Sequence, residues 1–442
     1  MTPTPDDRSP HTPDNARKRA MFIVFLVVAI DLLGFGIVLP LMPRYADAFL
    51  KGYSENVQGM LIGLLYSSFS LMQFIFSPVW GRFSDRIGRR PMLLLGLAGS
   101  VVFYALFGYA STLTDQPDLA IALLLLSRIG AGIAGASVST AAAVIADCTT
   151  PERRAKGMAL IGAAFGIGFT FGPLIAWAGE SVFSGALWGP GILASVLSAV
   201  ALLLALVLLP ETLSPGPKPP REFFSISRSL AVLRNPAVGP LILIYFLAIF
   251  GFANFEGTLS LLTKESFGMS DTDNYLAFAY VGLVLMVTQG GIYRPLAGRC
   301  SEQSLMTVGA GLMLLGLGTL MLVAYGTHSL KSSPDAALGL KRLFYVAVTV
   351  GVAGFAFVNP SISSLVSRRA DPTRQGEVLG VNQSFAALGR ILGPFVGSVT
   401  FKMDETRVLP YAVASALMIG VLVLLPAARA EPKAEVPSEP EV

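Results

Sequence analysis

The sequence predicts an all-α integral membrane protein, with twelve transmembrane helices in two six-helix bundles related by pseudo-two-fold symmetry. Three observations lead to this fold class. The chain of 442 residues is 53% hydrophobic and only 14% charged, whereas soluble domains carry about 25% charged residues. Its apolar stretches reach the roughly 20 residues that a helix needs to cross a bilayer. A segment of the first half also recurs in the second half.

Twelve apolar stretches are predicted to be helices, because a backbone in lipid must satisfy its own hydrogen bonds and a helix does so within one segment. Strands are not expected. The stretches cover approximately residues 20–42, 58–80, 91–111, 119–144, 156–178, 186–209, 237–262, 275–296, 303–325, 342–366, 377–400 and 408–426.

Polar segments divide the chain into five parts. Residues 1–19 contain no apolar run, so they are predicted to be a disordered cytoplasmic tail and not a signal peptide. Residues 20–210 form the N-terminal bundle and 237–426 the C-terminal bundle. A cytoplasmic loop at 211–236 joins them, and 427–442 form a cytoplasmic C-terminal tail.

The two bundles are predicted to be repeats of one another. The segment PERRAKGMALIGAAFGIGFTFGP at 151–173 aligns without a gap to PTRQGEVLGVNQSFAALGRILGP at 372–394. Both segments end in a Gly-Pro pair inside an apolar span. Because parallel repeats of this kind are an established transporter plan, the alignment favours transport over other membrane functions.

The distribution of charge and of reactive residues narrows the class further. Most of the 32 Lys and Arg residues lie on the side of both termini, which predicts a multi-pass protein of a plasma or inner membrane with cytoplasmic ends. Basic residues are spread over several loops, so a nucleic-acid partner is not expected. The chain has no G-x-x-x-x-G-K-[ST] loop for ATP. With two His and two Cys, we expect no metal, cofactor or enzymatic activity.

The segment GRFSDRIGRR at 81–90 is the densest cluster of charge between two apolar spans. Gly81 and Gly88 are expected to form tight turns, and the arginines anchor the cytoplasmic side. Asp85 is needed for neither task, so it is predicted to pair with a helix from the other half, or to meet the positive N-terminus of that helix, and to act as a conformational latch. The alternative is a role in topology and folding alone.

These residues resemble the signature loop between the second and third helices of the major facilitator superfamily, and the resemblance covers roughly residues 20–426. The matching positions are Gly81, Asp85, Arg86, Gly88, Arg89 and Arg90. The resemblance implies that Asp85 contacts the start of the eleventh helix, near Gly376, and that Arg89 pairs with Asp147.

Two further segments support the same resemblance. LSRIGAGIAGAS at 126–137 is similar to the Arg-bearing helix-4 motif of that superfamily. The fifth span, through Gly168, Gly172 and Pro173, resembles the motif of drug/proton antiporters, most like tetracycline-type efflux proteins. The small residues of this span predict a pliable seam that seals against proton leak, or else only tight helix packing.

Charged residues within the spans are candidates for proton coupling, because a charge at the bilayer centre costs about 2.5–3.5 kcal/mol on insertion scales. Asp31 is predicted to carry the proton, with Arg128 orienting it; a permanent Asp31–Arg128 ion pair and substrate binding are the alternatives. Glu256 is a second candidate for a proton or a cationic substrate, or else an interfacial carboxylate in water. Arg390 faces the cavity or packs the eleventh span.

Polar side chains within the spans are predicted to line a substrate cavity, although each could instead bond a neighbouring helix. They are Gln73, Asn254, Gln289, Asn359, Asn382 and Gln383.

The resemblance and the buried acids together predict a proton-coupled secondary active transporter that exports a small amphipathic or drug-like compound by alternating access. Its expected partners are the lipid bilayer, protons and a small-molecule substrate. Uptake or facilitated diffusion of a sugar or metabolite by the same fold is one alternative. A transporter-like receptor or membrane scaffold is another.

Overall fold

The computed structural model describes residues 14–149, 151–213, 226–297, 299–329, 334–370 and 375–429, and every regular element in these ranges is helical. Three π-helical turns, Ala46–Leu50, Leu262–Ser266 and Thr288–Tyr293, interrupt or extend the α-helices. The α-helices are α1 Asp14–Tyr45, α2 Glu55–Ile87, α3 Arg89–Ala110, α4 Pro117–Gly135, α5 Val138–Cys148, α6 Pro151–Val182, α7 Gly189–Leu208, α8 Ile226–Arg234, α9 Gly239–Leu261, α10 Asp271–Val287, α11 Arg294–Ala297, α12 Glu302–Ser329, α13 Pro334–Arg369, α14 Gln375–Met403 and α15 Leu409–Arg429.

The helices reproduce the twelve predicted spans. Within the described residues, eleven helical stretches are long and apolar enough to cross a membrane. The fourth of these joins α4 and α5, and the seventh joins α10, a π turn and α11. The remaining predicted span corresponds to α6, which is 32 residues long.

Helix ends differ from the predicted boundaries of the tails and the central loop. Residues 14–19, predicted as disordered, belong to α1, and α15 continues to Arg429. The central loop contains α8, a short helix of nine residues. These segments contain Ala, Leu and Arg, which favour helix, so the helices continue beyond the apolar stretches that hydropathy detects. The tails at 1–13 and 430–442 lie outside the described residues.

Glycines let the first and fifth spans of each half pack closely. A Cβ atom added at Gly172 of α6 would lie 2.8 Å from the Cα of Gly36 in α1. In the second half, a Cβ at Gly393 of α14 would lie 2.6 Å from the Cβ of Ala253 in α9. The glycines of the two aligned Gly-Pro pairs therefore occupy equivalent helix contacts, as expected of structural repeats.

The two halves, α1–α7 and α9–α15, contact each other along α2 and α14 and along α6 and α10. We call the end of the bundle with residues 51–54 and 404–408 the Arg407 end, and the opposite end, with the α2–α3 connection, the Gly88 end. At Gly63 of α2, an added Cβ would lie 2.9 Å from Phe395 Cδ2 and 3.0 Å from Phe395 Cα. The halves thus touch with no space for a methyl group near the Arg407 end.

The signature segment is mostly helical, not a loop. α2 runs to Ile87 and α3 begins at Arg89, so Gly88, with φ of 120°, makes the whole connection. Gly81 lies inside α2, and its prediction as a turn residue is wrong. One residue with positive φ is enough to reverse the direction of the chain here. Only glycine adopts positive φ readily.

Candidate transport pathway and gates

Arg89 is the centre of a buried ion cluster at the Gly88 end. Its Nη2 lies 2.7 Å from Asp85 Oδ1, and its Nε donates to Asp147 Oδ2 at 3.1 Å. Nη1 donates to the Ser84 hydroxyl at 2.6 Å. The arginine is 2% exposed, so the cluster ties α2, α3 and α5 together inside the first half.

This cluster brings the expected pair Arg89 and Asp147 together, and it gives Asp85 a partner in its own half. The predicted contact of Asp85 with the start of the eleventh helix involves residues 371–374 and the side chains of 375–377, which lie outside the described part of the chain. The latch therefore stays a prediction. Arg86 is exposed in the last turn of α2.

Sequence reasoning missed Glu211, which follows the sixth span and caps α3. Its carboxylate accepts the backbone N–H groups of Arg89 and Arg90 at 3.0 and 3.2 Å. A negative charge is favourable at a helix N-terminus, where these N–H groups have no helical partner. A Cβ at Gly88 would lie 2.5 Å from Glu211 Oε2, so the glycine makes room for the cap. Arg90 also donates to the Leu206 carbonyl at 2.7 Å.

In the first half, Arg128 of α4 is almost completely buried, with 1% exposure. Its Nε donates to the Leu65 carbonyl at 3.2 Å, and its guanidinium lies 4.8 Å from the centre of the Phe69 ring. Neither terminal nitrogen finds an acceptor among the described residues. A cavity of about 10 Å³, the size of one water molecule, lies between Arg128 and Gly34.

Asp31 belongs to α1, one turn before Gly34. Its side chain lies outside the described part of the structure, so the pairing of Asp31 with Arg128 also stays a prediction.

In the second half, Glu256 of α9 is 6% exposed, and Arg390 of α14 is the cation that acts on it electrostatically. The alternative of a carboxylate in interfacial water is therefore wrong. The reason is that the helix continues through the π turn Leu262–Ser266, so Glu256 lies well inside the helix and is enclosed by protein. Arg390 is half-buried and is also near Tyr245.

The predicted cavity residues separate into several groups. Gln73 donates to the Gly135 carbonyl of α4 at 2.9 Å and so bonds a neighbouring helix. Asn359 accepts a hydrogen bond from the Tyr245 hydroxyl at 2.8 Å. Asn254 and Asn382 are buried, and their side-chain amides find no partner among the described residues.

The two remaining glutamines lie nearer to solvent or lipid. Gln289 is half-buried in the π turn Thr288–Tyr293, and Gln383 is exposed on α14.

The glycines of the fifth span pack within the first half. A Cβ at Gly168 would lie 2.6 Å from the Leu32 Cβ of α1, and a Cβ at Gly172 would lie 2.8 Å from Gly36. Pro173 is buried, and α6 continues through it. The geometry is that of tight packing between α1 and α6; a role in sealing against protons stays a prediction.

Two groups of ion pairs join the halves at the Arg407 end, and the sequence did not point to either. In the first, Arg44 of α1 bonds Glu180 of α6 and lies 3.3 Å from Asp271 of α10. Lys264 also pairs with Asp271, at 3.0 Å.

In the second group, Arg407 lies 3.4 Å from Glu55 of α2 and 3.2 Å from Glu265. Lys402 pairs with Glu265 at 2.7 Å. Charged residues near helix ends are ordinary in a membrane protein, so nothing in the sequence marked these as partners.

Hydrogen bonds between the halves continue from this end toward the middle of the spans. Ser67 of α2 donates to the Ile391 carbonyl of α14 at 2.6 Å. Asn274 of α10 donates to the Pro40 carbonyl of α1 at 2.7 Å. Both bonds are buried, so the Arg407 end is closed in this structure.

Asp404, in the loop before α15, acts as a helix cap outside the spans. Its carboxylate accepts the N–H groups of Thr406, Val408 and Leu409 at 3.0, 2.7 and 2.8 Å. Partial burial raises the pKa of Asp404, but the hydrogen bonds to the charged form outweigh it and hold that pKa below its usual value.

Twelve spans, two repeated halves and a closable interface between them define a transporter of the major facilitator class. The sequence profile described as Major Facilitator Superfamily matches residues 24–394 and 332–440, and the chain belongs to this family. It is accordingly a multi-pass membrane protein that moves a small molecule across a bilayer, and the family consists of transporters and not enzymes.

Curated relatives are similar over nearly the whole chain. The major facilitator superfamily domain-containing protein 10 of Bos taurus is 33% identical, over 95% of this chain and 94% of that protein. The class E tetracycline resistance protein of Escherichia coli is 29% identical, over 88% of this chain and 89% of that protein.

Solved structures agree with the fold. The human organic anion transporter MFSD10 (TETRAN) superposes with a TM-score of 0.62 at 28% identity, covering 94% of this chain and all of that one. The D-xylose-proton symporter superposes with a TM-score of 0.71 at 16% identity, covering 94% and 98%; at that identity the similarity concerns the fold alone.

Proposed function

We propose that this protein is a proton-coupled transporter that exports a small amphipathic or drug-like compound by alternating access. The observation that carries the proposal is Glu256, a carboxylate 6% exposed within a span and acted on by Arg390 of another span. A buried acid in a transporter is costly to charge and can exchange its proton when the surroundings change. Asp31 and Arg128 are the corresponding pair proposed for the first half.

The proposed direction and substrate are supported by the similarity to known transporters and by the distribution of charge. Similarity to tetracycline resistance proteins favours export of a drug-like compound, and similarity to a human organic anion transporter favours a substrate with an acidic group. The excess of Lys and Arg supports an orientation with the Gly88 end and both termini on the cytoplasmic side of a plasma or inner membrane. The Arg407 end is then external.

The proton gradient provides enough free energy for such export. One proton moving inward gains about 2.3 kcal/mol per 100 mV. At roughly 150–200 mV of total driving force, one proton sustains a concentration ratio of about 300- to 2,000-fold. A single titrating carboxylate is therefore sufficient, without ATP.

Reconstituted vesicles test the proposal. With tetracycline and fluorescein as probe substrates, an imposed pH gradient should drive uphill movement of at least one probe, together with proton flux reported by an internal dye. Glu256→Gln and Asp31→Asn should abolish the coupled movement, whereas Asp115→Asn, which removes an exposed acid, should not.

The alternatives give different results in the same vesicles. Facilitated diffusion of a sugar or metabolite would equilibrate a solute without any response to pH. A receptor or scaffold would move neither solute nor protons. Uphill transport that persists after both acids are neutralised would contradict the coupling proposed here.

A further inference from the structure

The two ion-pair groups at the Arg407 end share one arrangement. We call Arg44, Glu180, Lys264 and Asp271 the Arg44 group. We call Glu55, Glu265, Lys402 and Arg407 the Arg407 group. Each group contains two acids and two bases, and each draws its members from both halves of the protein.

In each group a single ion pair connects the halves, and it is the longest of its group. Arg44 and Asp271 are 3.3 Å apart, compared with 3.0 Å for Lys264 and Asp271, which lie in the same half. Arg44 is also held by Glu180 of its own half.

The Arg407 group repeats this order. Arg407 and Glu55, in different halves, are 3.4 Å apart. Within the second half, Arg407 lies 3.2 Å from Glu265 and Lys402 lies 2.7 Å from it. The shorter contacts are therefore those that do not cross between the halves.

Of the ion pairs in the two groups, separation of the halves would break only the two that cross. Arg44 would keep Glu180, Asp271 would keep Lys264, and Arg407 would keep Glu265. Glu55 is the one member without a second partner in its group, and its side chain is 59% exposed to solvent. No charge would be left both buried and unpaired, which is the arrangement that costs several kcal/mol when an ion pair is broken.

We propose that the Arg44 and Arg407 groups together form the gate at the Arg407 end, and that their own-half partners make the gate easy to open. Glu180 is the positioning residue for Arg44, because it neutralises this arginine when the halves part. The proposal rests on alternating access as proposed above. Tyr275 of α10 also lies against Glu180, so a test must change the charge of Glu180 and keep the size of its side chain.

The proposal predicts opposite effects for two acids of the same group. Asp271→Asn removes the crossing pair and leaves Arg44 with Glu180, so the open state should gain about two- to five-fold in population, as expected for a partly exposed ion pair. Glu180→Gln leaves Asp271 as the one charged partner of Arg44 in its group. On opening, Arg44 would keep the Gly185 carbonyl of its own half, at 2.8 Å, but no counter-charge. The open state should then fall by a similar factor. Glu55→Gln should behave like Asp271→Asn.

The populations can be measured by pulsed electron resonance on the full chain in lipid nanodiscs. Spin labels at Thr112→Cys and Ser329→Cys, one exposed position in each half at the Arg407 end, report the separation of the halves. Cys148 and Cys300 are replaced by serine in this background. Asp115→Asn is the matched control, since it removes an exposed acid of neither group and should leave the distances unchanged.

The sign of the Glu180→Gln effect decides the outcome. If this variant opens the Arg407 end, as removal of any stabilising contact would, the assigned role of Glu180 is wrong. If Asp271→Asn leaves the distances unchanged, the Arg44 group is not part of the gate. A variant that fails to fold is replaced by Glu180→Asp, which keeps the charge and should restore the parental distances. The assay needs neither proton nor substrate, so failure of coupled transport in vesicles is a separate result.

Discussion

Substitution of Gly63 by alanine should shift the protein toward a state open at the Arg407 end. The added Cβ would lie 2.9 Å from the Phe395 ring and 3.0 Å from Phe395 Cα. The ring could turn aside, but the Cα atom belongs to the backbone of α14, so the two helices must separate. Overpacking of this kind costs about 1–3 kcal/mol, and it arises only while the halves are in contact.

That cost corresponds to a change of about 5- to 150-fold in the ratio of open to closed states. The spin-label pair at positions 112 and 329 provides the assay. The population with the longer distance between the two labels should be larger in Gly63→Ala than in the parent protein. Gly311→Ala is the control, because a Cβ at Gly311 would meet no atom within 4 Å, and alanine is the better helix former. An unchanged distance distribution in Gly63→Ala would refute the close contact between α2 and α14 as a determinant of closure.

The remaining predictions concern stability at the helix connections, measured as thermal unfolding of the purified protein in detergent. Gly88→Ala should lower the free energy of unfolding by about 1–3 kcal/mol, and by more than Gly185→Ala. Both glycines have positive φ, but only Gly88 is crowded, by Glu211. Equal losses of stability in the two variants would contradict this. Glu211→Ala should lower the free energy of unfolding by about 0.5–2 kcal/mol, because a part-buried and an exposed N–H group at the start of α3 lose their capping acceptor, and an unchanged midpoint would exclude the cap. The pKa of Asp404 is lower in the folded protein than in the unfolded chain, so its contribution to the free energy of unfolding is complete above the unfolded pKa and is lost as the pH falls through the folded pKa. Asp404→Asn should therefore reduce the loss of thermal stability in acid. If the acid dependence of the unfolding midpoint is unaltered, it belongs to other acids.

The length of the apolar stretches was sufficient to predict the number and order of the spans, because crossing a bilayer constrains every span by itself. The Gly-Pro pairs at 172–173 and 393–394 also predicted the repeat, and the structure shows their glycines at equivalent contacts with α1 and α9. These features are local, or repeat locally, so they can be identified in one sequence.

Contacts between segments that are distant in the sequence could not be predicted in this way. Glu211 lies far in sequence from the helix that it caps, and Arg44 meets Asp271 only because two halves close on each other. The sequence around a carboxylate or an arginine at a helix end looks the same whether that side chain has an ion-pair partner or contacts only water. At Gly81 the sequence predicted a feature that is absent from the structure. A glycine beside a charge cluster is typical of a turn, but the helix continues through this one.

The π turn Leu262–Ser266 carries Lys264 and Glu265, one member of each gate group. Because a π turn contains one residue more than an α turn, it changes the direction of the side chains at the end of α9 by about 100° relative to an uninterrupted helix. The approach of Lys264 to Asp271 and of Glu265 to Arg407 therefore depends on a single inserted residue. Deleting Leu262 would turn both side chains away from these partners without altering any charge, so the spacing of this segment, and not only its chemistry, sets whether the two groups can form.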